Sequence, residues 1–258
     1  MSNVAISYEN LVDASSTVLT ASTSAGDLTV SNLADPRVGR RWRAVSTTPY
    51  VTVDFGADVS IDVVALVFPR DVENPSGTIT HTFDADGGAA GAGVAHDSTA
   101  ISIGSVDGYG YHVYFPGETI TARYWQFNIA LDAGTYIDVG RAWAGEAWVP
   151  FRNIDYGWSE QWSDISVVTQ SRRSGAEFVD TRPRQRAFSF GFSSIEQADA
   201  LLAREMQRLA GVSGQVLCVI DPDSPAKLSI LGRASKVNPI TQPHAILYST
   251  AISIRESL

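Results

Sequence analysis

Residues 140–158 read GRAWAGEAWVPFRNIDYGW, and the chain changes character across them. Three of its six tryptophans, Trp143, Trp148 and Trp158, fall within this stretch. Up to residue 148 the chain carries 7 Lys and Arg against 17 Asp and Glu; after it the numbers are 12 and 11. Nets of -10 and +1 in one chain predict two domains, 1–148 and 149–258. The tryptophans flank the crossing with no Gly/Ser linker, so the expectation is a seam of mostly buried aromatic side chains that locks the two domains.

Upstream of the seam the apolar pattern has period two, as a strand requires. Val51, Val53 and Phe55 share a face in 50–56; Trp125, Phe127, Ile129 and Leu131 do so in 123–131; Tyr109, Tyr111, Val113 and Phe115 do so in 109–115. Residues 61–68 are apolar apart from Asp62, as for a strand covered on both sides. A further strand is expected over 136–143, a weakly alternating one over 77–83, and a glycine-rich loop over 84–93. The first 30 residues suit an extended arm or edge strand. Many short strands with regular turn signals predict a β-sandwich or jelly roll.

Downstream, a hairpin is expected from 165–170 and 176–181 around the turn 171–175. Arg182, Arg184 and Arg186 then alternate, followed by Phe188, Phe190 and Phe192. Residues 193–209 predict the one helix. Ser193 with Glu196, or Ser194 with Gln197, fits a capping box, and Ile195, Ala198, Leu201, Leu202, Met206 and Leu209 form its apolar stripe. Strands are expected at 215–220, 227–231 and 245–255. The fold class is therefore mainly β: a jelly roll, then a small α+β split-barrel-like domain with one helix.

Composition excludes several functions. With 258 residues, 44% of them hydrophobic, a net charge of -9 and mean hydropathy of -0.01, the chain is a globular acidic protein, poorly suited to nucleic acid. No stretch approaches the ~20 apolar residues that insertion in a membrane requires, and no leader is expected at the N-terminus. The single cysteine, Cys218, lies in an apolar run and is expected to be a small buried hydrophobe. The four histidines, His81, His96, His112 and His244, form no nucleophile motif, and no enzyme is expected.

Candidate binding residues remain. Saccharide sites combine aromatic faces with planar polar side chains, which points to Arg41, Trp42, Arg43 and Tyr50 in one loop region and Asp71, Glu73 and Asn74 in another. Asp84 and Asp86 are the candidates for calcium, with solvated acids as the ordinary explanation and no cofactor otherwise expected. Arg172, Arg173, Arg182, Arg184 and Arg186 are candidates for a subunit interface; they lack the aromatic interleaving of a single-strand binder.

Two resemblances add to this. Asp35-Pro36-Arg37, Trp42, the run from Tyr50 to Gly56, Ile61-Asp62-Val63-Val64-Ala65-Leu66, Ala122-Arg123-Tyr124-Trp125-Gln126-Phe127 and Ile137-Asp138-Val139-Gly140-Arg141 together resemble the galactose-binding-like, or discoidin-like, jelly roll. That family implies loops at one end that often bind sugars and sometimes lipids or proteins, and often a structural calcium. The second half, with its arginine-rich lead-in, alternating phenylalanines, helix, glycine turn and Asp221-Pro222-Asp223, resembles minor tail, tail-tip and distal-tail proteins of long-tailed bacteriophages. This implies a structural part of a virion tail tip or baseplate, assembled in the host cytoplasm. Its partners would be other tail proteins, copies of itself in a ring, and host-surface glycan. The alternatives are a carbohydrate-binding module of a non-viral assembly and a glycan depolymerase.

Overall fold

The computed structural model describes residues 3–70, 76–84, 94–103 and 110–258. Expectations that fall on Asp71, Glu73, Asn74, Asp86 and Tyr109 lie outside the described residues. In chain order the strands are β1 (Ala5–Ser7), β2 (Val18–Ala21), β3 (Trp42–Ala44), β4 (Tyr50–Ile61), β5 (Val63–Val67), β6 (Gly77–Asp84), β7 (Val94–Asp97), β8 (Ile101–Ser102), β9 (Tyr111–Tyr114), β10 (Ile120–Leu131), β11 (Ile137–Val139) and β12 (Arg141–Gly145). There follow β13 (Ser159–Ser163), β14 (Val167–Gln170), β15 (Glu177–Asp180), β16 (Gln185–Ile195), helix α1 (Gln197–Leu209), β17 (Val216–Val219), the four-residue helix α2 (Pro225–Leu228), β18 (Ser229–Ala234), β19 (Thr241–His244) and β20 (Leu247–Glu256).

Two compact units result: residues 1–150 with 217–229, and residues 151–216 with 230–258. A single cut after residue 148 misses the return of 217–229 to the first unit. The cause is strand pairing: Ala5, Ile6 and Ser7 stand opposite Val219, Cys218 and Leu217. The apolar run around Cys218 thus finds its partner at the other end of the chain, where no local pattern points.

The first unit is a β-sandwich jelly roll. One layer runs β2-β4-β10-β6-β7, with β8 also on β6; another runs β12-β5-β9; β3 and β11 form a separate pair. Val51, Val53 and Phe55 of β4 and Trp125, Phe127 and Ile129 of β10 are buried in one core with Val64 and Leu66 of β5 and Ala142 and Ala144 of β12. Alternation places the first six on one face of their sheet. β5 is buried along its whole length, which is why 63–67 reads as unbroken hydrophobes.

The expected strand 136–143 is two strands. At Gly140 a Cβ would lie 2.3 Å from the Val38 carbonyl oxygen, so only glycine lets the chain pass there. It leaves the β3 pairing and joins β5. Trp143, 1% exposed, then donates its Nε1–H to Ser7 Oγ at 2.9 Å. Trp148, buried, exchanges both backbone hydrogen bonds with Ile6.

In the second unit β16 lies between β20 and β13, with β18 and β19 also on β20. Phe188, Phe190, Phe192 and Ile195 are buried along one face of β16. Trp158 packs edge-on against Phe188 at 6.0 Å but is 37% exposed, against the burial expected of it. Ile246, which period-two alternation over 245–255 puts on one face with Ile252 and Ile254, is exposed while those two are buried.

The helix differs from expectation at its start and in its face. β16 continues through Ser193 and Ser194 to Ile195, which pairs with Tyr248 after a bulge. Those serines are therefore strand residues, and no side chain caps the helix at Glu196. The buried residues are Asp199, Ala200, Ala203 and Met206; Leu201, Leu202 and Leu209 are exposed. Buried Asp199 accepts the Phe151 backbone N–H at 3.1 Å, a fixed polar anchor that sets the helix rotation.

Candidate functional site

At one end of the first unit several connections converge. Leu131 N–H donates to the Thr47 carbonyl at 2.8 Å, joining the loop 45–49 to the end of β10. Ser22 N–H donates to the Tyr50 carbonyl, Ala25 N–H to the Arg43 carbonyl, and Asp132 N–H to the Ser76 carbonyl, each at 3.0 Å. Here β3 and β11 run antiparallel with Arg43 opposite Asp138. Arg43 grips that carboxylate with Nε and Nη2, both at 2.7 Å, and Arg41 Nε stands 3.8 Å from it.

Asp138 is fully buried, and two guanidinium groups compensate its desolvation. The hydrogen bonds to Asp138 in turn raise the pKa of Arg43 above the ordinary arginine value. The Arg43 guanidinium carbon lies 4.6 Å from the centroid of the Tyr136 ring, a cation–π stack that fixes both groups. Tyr136 is 42% exposed and Tyr50 43%. The result is a rigid, planar, polar group backed by a buried acid and stacked on an aromatic ring that still reaches water.

Trp42 is not part of this surface. Successive strand residues face opposite ways, so the arrangement that turns Arg41 and Arg43 to one side turns Trp42 into the core. It is fully buried, donates Nε1–H to the Thr23 carbonyl at 2.9 Å, and meets Phe127 edge-on. Tyr136 and Asp138 replace it in the cluster. The signal that could have found them is an exposed-type aromatic two residues before an acid, on a strand ending at Gly140.

A second polar cluster lies inside the same unit. His81 and His112 are buried, with their Nε2 atoms 2.9 Å apart. Trp125 Nε1 stands 3.2 Å from His81 Nδ1, and His112 Nδ1 stands 3.1 Å from the Ser102 carbonyl. An indole can only donate and a carbonyl can only accept, so the chain has one direction. Trp125 donates to His81, His81 Nε2–H donates to His112, and His112 Nδ1–H donates to Ser102. Both rings are neutral in this assignment. Tyr114 stacks on His81 at 5.1 Å, and its hydroxyl meets His96 Nε2 at 2.5 Å. Burial pushes both buried histidines down, His81 well below its ordinary value and His112 to about 4.

The other candidates are dispersed. Asp84 is buried in β6, and among the described residues no group of three or more His, Cys, Asp or Glu could hold a metal ion. The five arginines do not share a face. Arg186 is buried and pairs with Glu256 and Glu160. Arg182 and Arg184 bond Asp180 and Asp164 on the surface, and Arg172 and Arg173 are exposed in the turn. Cys218 is buried, and desolvation raises its thiol pKa.

No protein-family model and no curated protein matches this chain. Among solved structures it is similar to a Ruminococcus gnavus GH29 fucosidase in complex with fucose, at 13% identity and a TM-score of 0.45 over 54% of this chain and 27% of that one. It is also similar to a Clostridium perfringens CBM32 module in complex with GalNAc-β-1,3-galactose, at 11% identity and 0.44 over 54% and 100%. A third is the family 32 CBM from C. perfringens NanJ in complex with galactose, at 12% and 0.43 over 52% and 96%. This chain spans about a quarter of the fucosidase. Likenesses this loose carry no argument about a ligand.

Proposed function

We propose that the first unit is a non-catalytic saccharide-binding module and that the sugar sits on the Tyr136–Arg43 end. One observation carries this reading: Arg43 is locked bidentately by buried Asp138 and stacked on the partly exposed ring of Tyr136. A guanidinium fixed in this way loses little freedom when it donates to sugar hydroxyls. The ring face not taken by Arg43 suits stacking against sugar C–H groups. Arg41 and Tyr50 extend the same end.

Isothermal titration against galactose, N-acetylgalactosamine, fucose and uronate oligosaccharides tests it. Binding at millimolar affinity or better is expected, falling about tenfold or more in Tyr136→Ala and in Arg43→Ala. No heat with any sugar, or affinity indifferent to both changes, would overturn it.

A second reading is a structural part of a multi-subunit particle, such as a phage tail tip assembled in a host cytoplasm. The hairpin formed by β14 and β15 favours it, because every residue of both strands is exposed. Mass spectrometry of purified particles decides this reading: absence of the chain would exclude it.

A further inference from the structure

Strands β14 and β15 pair with each other and, among the described residues, with no other strand. Val168 stands opposite Val179, and Thr169 opposite Phe178. Opposed residues share a face and successive ones alternate. One face therefore carries Val168 and Val179, the other Val167 and Phe178. All four are about half exposed or more, from 48% for Val167 to 64% for Phe178. Trp162 and Ile165, also exposed, lead into the hairpin.

A two-stranded hairpin alone in water is marginally stable. Covering apolar side chains of this size against a partner is favourable, because it removes their surface from water. The arm from 164 to 184 has 21 residues, within the roughly 20–30 residues that each side of a standard interface contributes. At its tip Arg172 and Arg173 are exposed and have no ion-pair partner among the described residues. Arg182 and Arg184 nearer the base are already paired.

Charge indicates what covers the arm. The first unit holds 8 Lys and Arg against 19 Asp and Glu; the second holds 11 against 9. One chain thus carries an acidic body and an apolar arm with a basic tip, the two halves of a head-to-tail contact. We propose that the arm docks on a second copy of this chain, its apolar faces covered and Arg172 and Arg173 set against the acidic first unit of that copy. The proposal rests on the assembly reading above and names its partner; it is independent of the saccharide site.

Sedimentation velocity on the full chain tests it, from about 1 to 100 µM. The expected result is concentration-dependent self-association at about 50 mM salt that weakens at about 0.5 M, where screening shortens the reach of charge. V168D/F178D should be monomeric with an unchanged circular dichroism spectrum and melting temperature. R172E/R173E, which alters only the exposed turn, should weaken association about tenfold or more. A wild-type chain that stays monomeric at about 100 µM, or association indifferent to the arm variants, would overturn the proposal. Insensitivity to salt and to R172E/R173E alone would overturn the acidic first unit as the docking surface. A monomer that is nonetheless found in purified particles would leave the assembly reading standing without this one.

Discussion

The pair β4–β10 and the pair β14–β15 are the same kind of object, two antiparallel strands with apolar residues on them. In the first, Val51, Val53, Trp125 and Phe127 are fully buried because the β12-β5-β9 layer contributes to the same core. In the second, Val168, Val179 and Phe178 lie in water because, among the described residues, the hairpin joins no larger sheet. Alternation makes a strand; a second layer makes a core. Where the layer is missing the same pattern leaves its apolar side chains exposed, and the proposed docking of the arm rests on that exposure.

Deleting a large side chain from each pair tests this contrast most directly. Trp125→Ala should cost roughly 3–5 kcal/mol by urea unfolding, through lost burial and a cavity, and should also remove the donor to His81. Acid should act next. His81 and His112 have folded pKa values below the unfolded value of about 6.5, so the unfolded chain binds more protons as pH falls. Their stabilisation is complete above pH ~6.5 and is lost as pH drops toward 4, with about 3 kcal/mol from His112 alone. Unfolding free energy measured between pH 7 and 4 should show that slope, and His81→Gln/His112→Gln should flatten it.

A smaller effect is expected at the polar end of the sandwich. Arg43→Lys keeps the charge but loses the bidentate grip on Asp138 and the planar stack on Tyr136, at roughly 1–2 kcal/mol. Loss of sugar affinity larger than this stability change would show the guanidinium acting on the ligand itself. The smallest change belongs to the arm: Phe178→Ser in the monomer should stay within about 0.5 kcal/mol. A large loss there would mean the hairpin is covered within its own chain, and the contrast would fail.

Much of the first unit was legible because period-two alternation in β4 and β10 and the unbroken apolar run of β5 are local signals. The hairpin was legible for the same reason. The helix was half legible. Its hydrophobic residues were visible, but its first turn went to β16, whose pairing with β20 buries Ile195 and removes the serines from capping. At the candidate site Arg41, Arg43 and Tyr50 were visible as residue types. Trp42 was misplaced because its neighbours suggested a loop, whereas strand geometry turns it inward.

The sequence by itself determined the mainly β class, the change of charge across residues 140–158 and the buried state of Cys218's surroundings, since each is a sum over neighbours along the chain. Only the tertiary structure decided which polar groups meet. Arg43 finds Asp138 across 95 residues, His81 finds His112 across 31, and residues 217–219 find β1 at the far end of the chain. Such meetings depend on register, and a one-residue slip turns every side chain to the other face. The fate of the tryptophans at the crossing was decided in the same way. Trp143 and Trp148 are held by Ser7 and Ile6 in the first unit, while Trp158 lies against Phe188 in the second with more than a third of its surface in water.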